Sequence, residues 1–497
     1  MKDFLNREDA KKILLFKYIE EYTQQTASFS AITSELGFSE FVLLRTVENL
    51  IKDIEINELN LYFKIEINRS EKKIKLKKNK EASISSLYLI YLKSSLTYNI
   101  LVDILSGRFN SMMEFALNNF TSYPAVYKKI QEIKKELDKY DIHLSSKYDL
   151  VGDEISIRMF FYNLYYPRFN EVSYPFEEKY RQLSKLFIRL LENYFDLGVQ
   201  ETLKTKINYF LAISLKRIDK RQYLVVDTNE NKKKFSINRK HDLYKMVYSF
   251  IRKEYPSVEK KTLISEVDSI VAFLISEDYV KRKEFEICGI EIDTLIKYNE
   301  DITTLFTSEF EKYFKKSIEQ QQYDFLVKEL QFLHFKLNFF KNVENIFGYT
   351  LNLKFMEDTY VDAAKFCEEF VTSLPNTRKY EVIKRNKNFI FYQYLFLVIQ
   401  TFSSDFFMET IHICLDFSLG NHYTSVIETN LKSFNFFNIQ VERHMNKKTN
   451  LFISDYSYKG IQIPFLIWNI PPTAKDWANL GEFLVLIKKE KTKKVKE

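Results

Sequence analysis

One stretch of sequence decides how this chain is interpreted: SMMEFALNNFTSYPAVYKKIQEIKKEL, residues 111–137. A short apolar helix is predicted over residues 112–119. Ser122 is a favoured N-cap residue and Pro124 suits the first turn of a helix, so a second and longer helix is predicted to follow. The apolar residues of this second helix recur at helical spacing: Val126, Ile130, Ile133 and Leu137. Two helices joined by a short turn are the pattern of a helix-turn-helix.

The side of the longer helix that faces away from the apolar stripe predicts contact with a DNA duplex. A helix that lies in a major groove presents cationic and hydrogen-bonding side chains to phosphates and base edges. The candidate DNA-contacting residues of this unit are Ser122, Tyr123, Tyr127, Lys128, Lys129, Gln131 and Lys135. An ordinary amphipathic helix with a solvated face is the alternative that the sequence leaves open.

The next stretch, IHLSSKYDLVGDEISIRMFF at residues 142–161, predicts a β-hairpin wing. Gly152 and Asp153 are the predicted turn residues. An earlier segment repeats the pattern, with helices predicted over 9–22, 30–36 and 39–54 and strands over 60–67 and 73–76. Gly37 is expected to close the second of these helices and Ser39 to cap the third. The sequence therefore predicts two winged helix-turn-helix units.

The first unit is the weaker candidate for reading DNA. Its third helix exposes Arg45 among apolar residues, and its wing carries a run of cations that includes Lys73 and Lys75. In the local sequence, this run stands against Glu71 alone, which favours phosphate contacts. A packing or auxiliary role for the unit, and a solvated linker for the charge run, are the alternatives.

Composition favours helices and an intracellular setting. The 497 residues include 9 Gly and 8 Pro, which disfavours loop-rich β architectures. Three cysteines without CxxC spacing predict neither a disulfide framework nor a zinc site. Residues 1–7 carry no apolar signal core, and the most apolar segment, 389–402, is too short to span a bilayer. We expect a cytoplasmic protein with no membrane partner, no metal, no cofactor and no catalytic motif.

Beyond the winged units, the sequence predicts two helical blocks and then a change of periodicity. The blocks have the proportions of compact helical bundles. After residue 403, strands predicted at 408–415, 439–443, 451–454 and 463–468 alternate with helices at 424–434 and 473–488, which predicts a small parallel α/β domain. The predicted class is thus mainly α and multidomain. The predicted domains are 1–80 and 81–168 (winged helix-turn-helix units), 169–298 and 299–403 (helical bundles) and 404–497 (α/β).

This order of modules resembles the Mga/AtxA-like transcription regulators of Gram-positive bacteria. The resemblance is carried by the helix-turn-helix and wing quoted above, by ELQFLHFKLNFF at 329–340 and by IHICLDFSLGNHYTSV at 411–426. It implies that the bundles are phosphotransferase-system regulation domains and that the last domain is similar to enzyme IIB. It also implies a homodimer or higher homo-oligomer that binds double-stranded promoter DNA and activates transcription, with phosphotransferase-system phosphocarrier proteins as further partners.

The resemblance also names candidates for phosphorylation. His334 falls on the helix where the family's bundles carry an acceptor histidine, while the other three corresponding helices have none. A packed histidine is the alternative, because its neighbours Phe332, Leu333 and Phe335 would desolvate it. In the last domain, Ser418 falls near the enzyme IIB cysteine position, and Cys414 lies earlier, inside an apolar strand.

Three other functions remain open from the sequence. A phosphotransferase-system phosphoryl carrier would use Ser418, Cys414 or His334. An RNA-binding antiterminator would also contain paired regulation domains, but such proteins usually begin with a small β domain and this chain begins with helices. A regulator with degenerate DNA binding would act by pairing with another regulator.

Overall fold

The structure is a computed structural model that describes residues 4–22, 25–169, 173–195, 198–224, 239–277, 292–343, 354–377, 380–402, 404–407, 410–433 and 437–494. The chain divides into two compact units. The first comprises Met1–Asp301, Gln331–Leu351 and Glu381–Phe389, and the second comprises Ile302–Leu330, Asn352–Tyr380 and Ile390–Glu497. The protein is mainly helical and multidomain, as predicted.

The chain begins with a helical unit that carries an antiparallel three-stranded sheet. Its elements are α1 (Arg7–Glu21), β1 (Thr26–Ser28), α2 (Phe29–Leu36), α3 (Glu40–Ile56), β2 (Phe63–Asn68) and β3 (Lys73–Lys78). The sheet order is β1-β3-β2, so β2 and β3 form the predicted wing, and β1 is a strand that was not predicted. Gly37 ends α2 with a φ of 65°, and the Ser39 hydroxyl accepts a hydrogen bond from the Val42 amide. Both cap predictions are confirmed.

The second winged unit follows two helices that were not predicted. The elements of this region are α4 (Ser85–Ser94), α5 (Leu96–Ser106), α6 (Met112–Asn118), α7 (Tyr123–Asp138), β4 (Ile142–Leu144), β5 (Leu150–Gly152) and α8 (Glu154–Phe169). α6 and α7 are the predicted helix-turn-helix. β4 and β5 pair antiparallel as its wing.

The predicted extent of this wing is wrong. Ile142 lies opposite Gly152, and the turn is formed by residues 145–149, where the Tyr148 amide donates to the Ser145 carbonyl at 3.0 Å. The segment from Glu154 onward, predicted as the second strand, is α8. Nearly all of α8 is buried, and a helix that is buried all round has no polar face that distinguishes it from a buried strand in the sequence.

Gly152 has a different role from the one predicted. A Cβ atom at this position would lie 2.6 Å from the carbonyl oxygen of Asp141 and 3.3 Å from the Cα atom of Ile142. The residue is therefore required by the close approach of two backbone segments, which only glycine permits without displacement. This contact fixes the end of the wing against the residue that precedes β4.

A buried charge cluster attaches α8 to the helices that follow it. Arg158, which is fully buried, donates to Glu154 at 3.0 Å and to both carboxylate oxygens of Glu266, at 2.5 and 3.0 Å. Arg217 donates two further bonds to Glu154, at 2.8 and 2.7 Å. Removing one partner of such a cluster leaves an uncompensated buried charge, at a cost of about 3–5 kcal/mol. The helix that leaves the wing is thus held in one position.

The next part of the chain is helical. Its elements are α9 (Glu178–Phe195), α10 (Glu201–Asp219), α11 (Asp242–Glu254), α12 (Lys260–Ser276), α13 (Ile292–Phe314), α14 (Gln320–Phe340), α15 (Lys354–Thr359), α16 (Val361–Ser373), α17 (Glu381–Arg385), α18 (Lys387–Thr401) and α19 (Ser404–Phe407). The predicted boundary at residue 299 lies inside α13, and the division into five domains stays a prediction. Within the described ranges, no helix is both long and apolar enough to cross a membrane.

The chain ends in a small α/β domain. Its elements are β6 (Ile411–Asp416), α20 (Asn421–Lys432), β7 (Ile439–Glu442), β8 (Leu451–Ser454), β9 (Phe465–Ile467) and α21 (Ala474–Lys494). All pairings are parallel and the strand order is β7-β6-β8-β9, which confirms the predicted parallel sheet. Its core includes Ile413, Leu451 and Leu480. Residue 408, where the first strand is predicted to begin, and residue 434, where the first helix is predicted to end, lie outside the described residues.

Replacing Gly152 tests the backbone contact at the end of the wing. Gly152→Ala should lower the free energy of unfolding by about 1–3 kcal/mol, because the new Cβ must push the two segments apart. Gly481→Ala is the control, since in the described part of the chain no atom beyond the neighbouring helix backbone lies within 4 Å of its Cβ position in α21. Alanine there should be neutral or stabilise by about 0.5–1 kcal/mol. Thermal unfolding of both variants measures the difference, and equal midpoints would contradict the role given to Gly152.

Candidate nucleic-acid interface

α7 is anchored on one side by a stripe of apolar residues. Their side chains are at most 2% exposed: Val126, Ile130, Ile133 and Leu137. The helix begins as predicted, because the Ser122 hydroxyl accepts a hydrogen bond from the Ala125 amide at 3.3 Å and Pro124 occupies the first turn. The predicted anchoring side is confirmed, and its burial fixes which side of α7 faces solvent.

The opposite side of α7 is accessible. Tyr123 and Tyr127 are 43% and 49% exposed, Lys128 and Lys135 are exposed, and Gln131 is half-buried. Lys128, Gln131 and Lys135 follow one another at spacings of three and four residues, which places them along one line of the helix. The structure therefore brings these predicted residues together on one solvent-facing surface.

The charges of α7 divide into paired and unpaired groups. Lys129 contacts Glu132 at 2.7 Å and Lys139 contacts Glu136 at 2.6 Å. Within the described ranges, the ammonium groups of Lys128, Lys134 and Lys135 make no ion pair. Both glutamates of the helix are thus paired with lysines, and Asp138 at its C-terminal end contacts His143 at 2.8 Å. The remaining lysines give this side of the helix its positive charge. Lys129, one of the predicted contacts, is the member of the set that already has a partner.

The wing adds a cation that the sequence analysis missed. Lys147 is exposed on the turn between β4 and β5, and it has no ion pair within the described part of the chain. The turn is ordered by Ser145, whose hydroxyl accepts bonds from the amides of Lys147 and Asp149 at 3.2 and 3.0 Å. The sequence did not single out Lys147, because the turn was predicted at Gly152 and Asp153, beyond the observed turn at 145–149. The sequence SSKYD at 145–149 contains the signal, since serine and aspartate favour such turns.

In the first unit, most of the wing cations have acidic partners. The expectation that Glu71 alone opposes them is wrong, because other carboxylates come from distant parts of the sequence. The pairs are Arg69–Glu48 (2.9 Å), Lys72–Glu40 (3.3 Å), Lys73–Glu71 (3.1 Å), Lys77–Glu66 (2.7 Å) and Lys78–Glu20 (2.5 Å). Arg45 and Lys75 are exposed and make no ion pair within the described residues. Of the three predicted contacts in this unit, Lys73 is therefore the one with a partner.

His334 lies in α14 and is 1% exposed. Burial lowers the pKa of its imidazole to about 3, so the ring is neutral at physiological pH. The predicted desolvation is confirmed. A phosphoryl donor has no access to the ring in this conformation, which favours the packed histidine over the acceptor, and phosphorylation of His334 stays a prediction.

The nucleophile candidates of the α/β domain are also occupied or buried. Cys414 is 2% exposed, and burial raises the pKa of its thiol to about 11. The Ser418 hydroxyl donates to the Asp455 carboxylate, and the Ser418 amide donates to the same group at 2.8 Å. A carboxylate at this position repels an incoming phosphoryl group. Within the described ranges, no cluster of histidine, cysteine and carboxylate residues is arranged to hold a metal ion, and Cys288 lies outside them.

Comparison with known proteins identifies the class of the second winged unit. Residues 80–165 match the family described as the Mga helix-turn-helix domain. This range contains α6, α7 and the wing. The chain therefore carries an Mga-type helix-turn-helix, and the resemblance to Mga/AtxA-like regulators is confirmed.

Two curated proteins of Bacillus anthracis are similar to this chain. The capsule synthesis positive regulator AcpB is 24% identical over 153 residues, which cover 29% of this chain and 32% of AcpB. The capsule synthesis positive regulator AcpA is 21% identical over 257 residues, half of each protein. The chain thus matches half or less of the length of either relative.

The buried imidazole gives a prediction about stability and pH. His334 stays neutral in the folded chain down to a pH of about 3, whereas an unfolded histidine takes up a proton near pH 6.5. Stability should therefore fall as the pH drops below about 6.5, by up to about 1.4 kcal/mol per pH unit from this residue. Denaturant unfolding between pH 8 and pH 4 measures the slope. His334→Gln should lack this component and match the wild-type slope above pH 7, and equal slopes in acid would refute the assignment.

Proposed function

We propose that this chain is a transcriptional regulator that binds promoter DNA through the helix-turn-helix and wing of residues 80–165. The observation that carries the proposal is the outer side of α7. Lys128 and Lys135 are exposed there and make no ion pair with any described residue, while the opposite side is anchored in the core. The match to the Mga helix-turn-helix domain supports it. Ser122 acts as the cap that orients the helix, and Tyr123, Tyr127 and Gln131 supply hydrogen-bonding groups.

In the proposed complex, α7 lies in the major groove with its N-terminal turns near the base edges, as recognition helices do. Lys128 and Lys135 then approach phosphates, and Lys147 on the wing reaches the backbone beside the groove. Lys129 contributes less to DNA binding, because its ammonium group is already paired with the carboxylate of Glu132. In the first unit, Arg45 and Lys75 are proposed as auxiliary phosphate contacts. Lys73 would contact a phosphate by giving up its ion pair with Glu71.

We further infer that regulation by this chain is positive. Both similar proteins are named positive regulators, and the resemblance to Mga/AtxA-like proteins points the same way. The helical bundles and the α/β domain are assigned to sensing and to assembly as a homodimer or higher homo-oligomer on that resemblance alone. Control by phosphocarrier proteins through His334 would require α14 to open.

Salt-dependent DNA binding tests the proposed function. A duplex contact by a lysine releases counterions, so each contact adds about one unit to the slope of log affinity against log salt. The double variant Lys128→Ala/Lys135→Ala should bind promoter DNA more weakly than the wild-type chain at moderate salt. Its slope should be smaller by about two units. Fluorescence anisotropy with a labelled duplex over a range of salt concentrations measures both quantities.

A matched variant separates this surface from the overall charge of the protein. Lys185→Ala/Lys253→Ala removes the same charge from exposed positions on α9 and α11 that make no ion pair with the described residues. This variant should retain the wild-type affinity and slope. If the α7 variant and this control behave alike, the proposed interface is wrong.

A further inference from the structure

Phe120, in the turn between α6 and α7, combines two features that are unfavourable for the free protein. Its side chain is 99% exposed, the highest value among the exposed large hydrophobic residues of the described ranges. Its backbone has a φ of 50°, in the left-handed region that bulky residues rarely adopt. The Thr121 amide bonds to the Ala116 carbonyl at 3.0 Å, which closes α6 in the pattern whose left-handed position is usually glycine.

The fold itself gives no reason for a phenylalanine at this position. Glycine would form the same turn without strain, and a polar side chain would be better hydrated. Strained backbone conformations that persist at a surface position are a reason to look for the function that the side chain serves. A partner that covers the ring would compensate for both features of Phe120.

The surroundings of Phe120 favour duplex DNA as that partner. The turn leads directly into the N-terminal end of α7, where a recognition helix contacts base edges. The exposed rings of Tyr123 and Tyr127 follow, and Lys128 provides positive charge without an ion pair in the described part of the chain. The surface thus complements an anion that also offers apolar groups. In the major groove, that apolar group is the C5-methyl of thymine, which phenylalanine contacts in known complexes.

We propose that Phe120 contacts the methyl group of a thymine at the edge of the major groove, and that binding by this chain therefore depends on a thymine at that position. The inference rests on the proposed function, because it requires α7 to bind a duplex. It assigns to the turn a part in sequence recognition beyond that of the polar residues of α7.

Uracil substitution in the DNA tests this contact, since it removes the methyl group and leaves the hydrogen-bonding edge unchanged. A duplex is first selected from a random pool by the full-length chain and then synthesised with thymine or with uracil throughout. The wild-type chain should bind the uracil duplex about fourfold more weakly, because this is the change in affinity expected from the loss of one buried methyl group. Phe120→Ala should bind both duplexes equally, at the affinity of the wild type for uracil DNA.

Two further variants keep the result interpretable. Phe120→Gly should melt at a temperature no lower than that of the wild type, because glycine relieves the left-handed strain. It should also lose the preference for thymine. Weaker DNA binding by this variant could then not be attributed to unfolding. Leu186→Ala, at a half-exposed leucine of α9, should keep the preference.

The outcomes separate this inference from the function on which it rests. If Phe120→Ala binds the thymine duplex with wild-type affinity or keeps the full preference for it, the thymine contact is refuted. A protein partner for Phe120 and for Met113 and Leu117, the exposed apolar residues of α6, then becomes the better explanation. If the wild-type chain selects no duplex at all, the proposed function itself fails.

Discussion

The burial of the apolar stripe of α7 is the constraint on which the DNA-binding account depends. Each of its four residues is at most 2% exposed, and burying a side chain of this size stabilises the fold by about 1.5–3 kcal/mol. Rotating the helix to present a different side would lose most of that free energy. The lysines and tyrosines on the opposite side are therefore held at the surface. The neighbouring elements are also fixed in position: the wing by the backbone contact at Gly152, and α8 by the buried ion pairs of Arg158.

The parts of this architecture that could be predicted are those whose burial is one-sided. α3 and α7 each combine an amphipathic pattern with a serine cap, and both begin where the sequence indicates. The alternation of strands and helices after residue 403 likewise predicts the parallel sheet, because parallel strands need a crossover between them. The burial of His334 follows from its apolar neighbours along the chain.

The predictions are wrong where the residues that bury or pair with a segment lie far from it in the sequence. α8 is buried nearly all round by other elements, so its own pattern did not distinguish a helix from a strand, and the wing turn was misplaced as a result. In the first wing, Glu71 is the one acidic partner that the local sequence indicates, because Glu20 and Glu48 lie far from the wing cations in the sequence. The role of Phe120 could not be predicted, because neither a positive φ nor full exposure can be inferred from the sequence for a phenylalanine in a turn.

Lysine footprinting tests the central claim most directly. The full-length chain is acetylated with and without a saturating duplex, and the modification of each lysine is quantified by mass spectrometry. The account predicts strong protection of Lys128 and Lys135 by DNA, while Lys185 and Lys253 react equally in both states. Equal reactivity of Lys128 and Lys135 in the free and the bound chain would contradict the claim that this side of α7 meets the duplex.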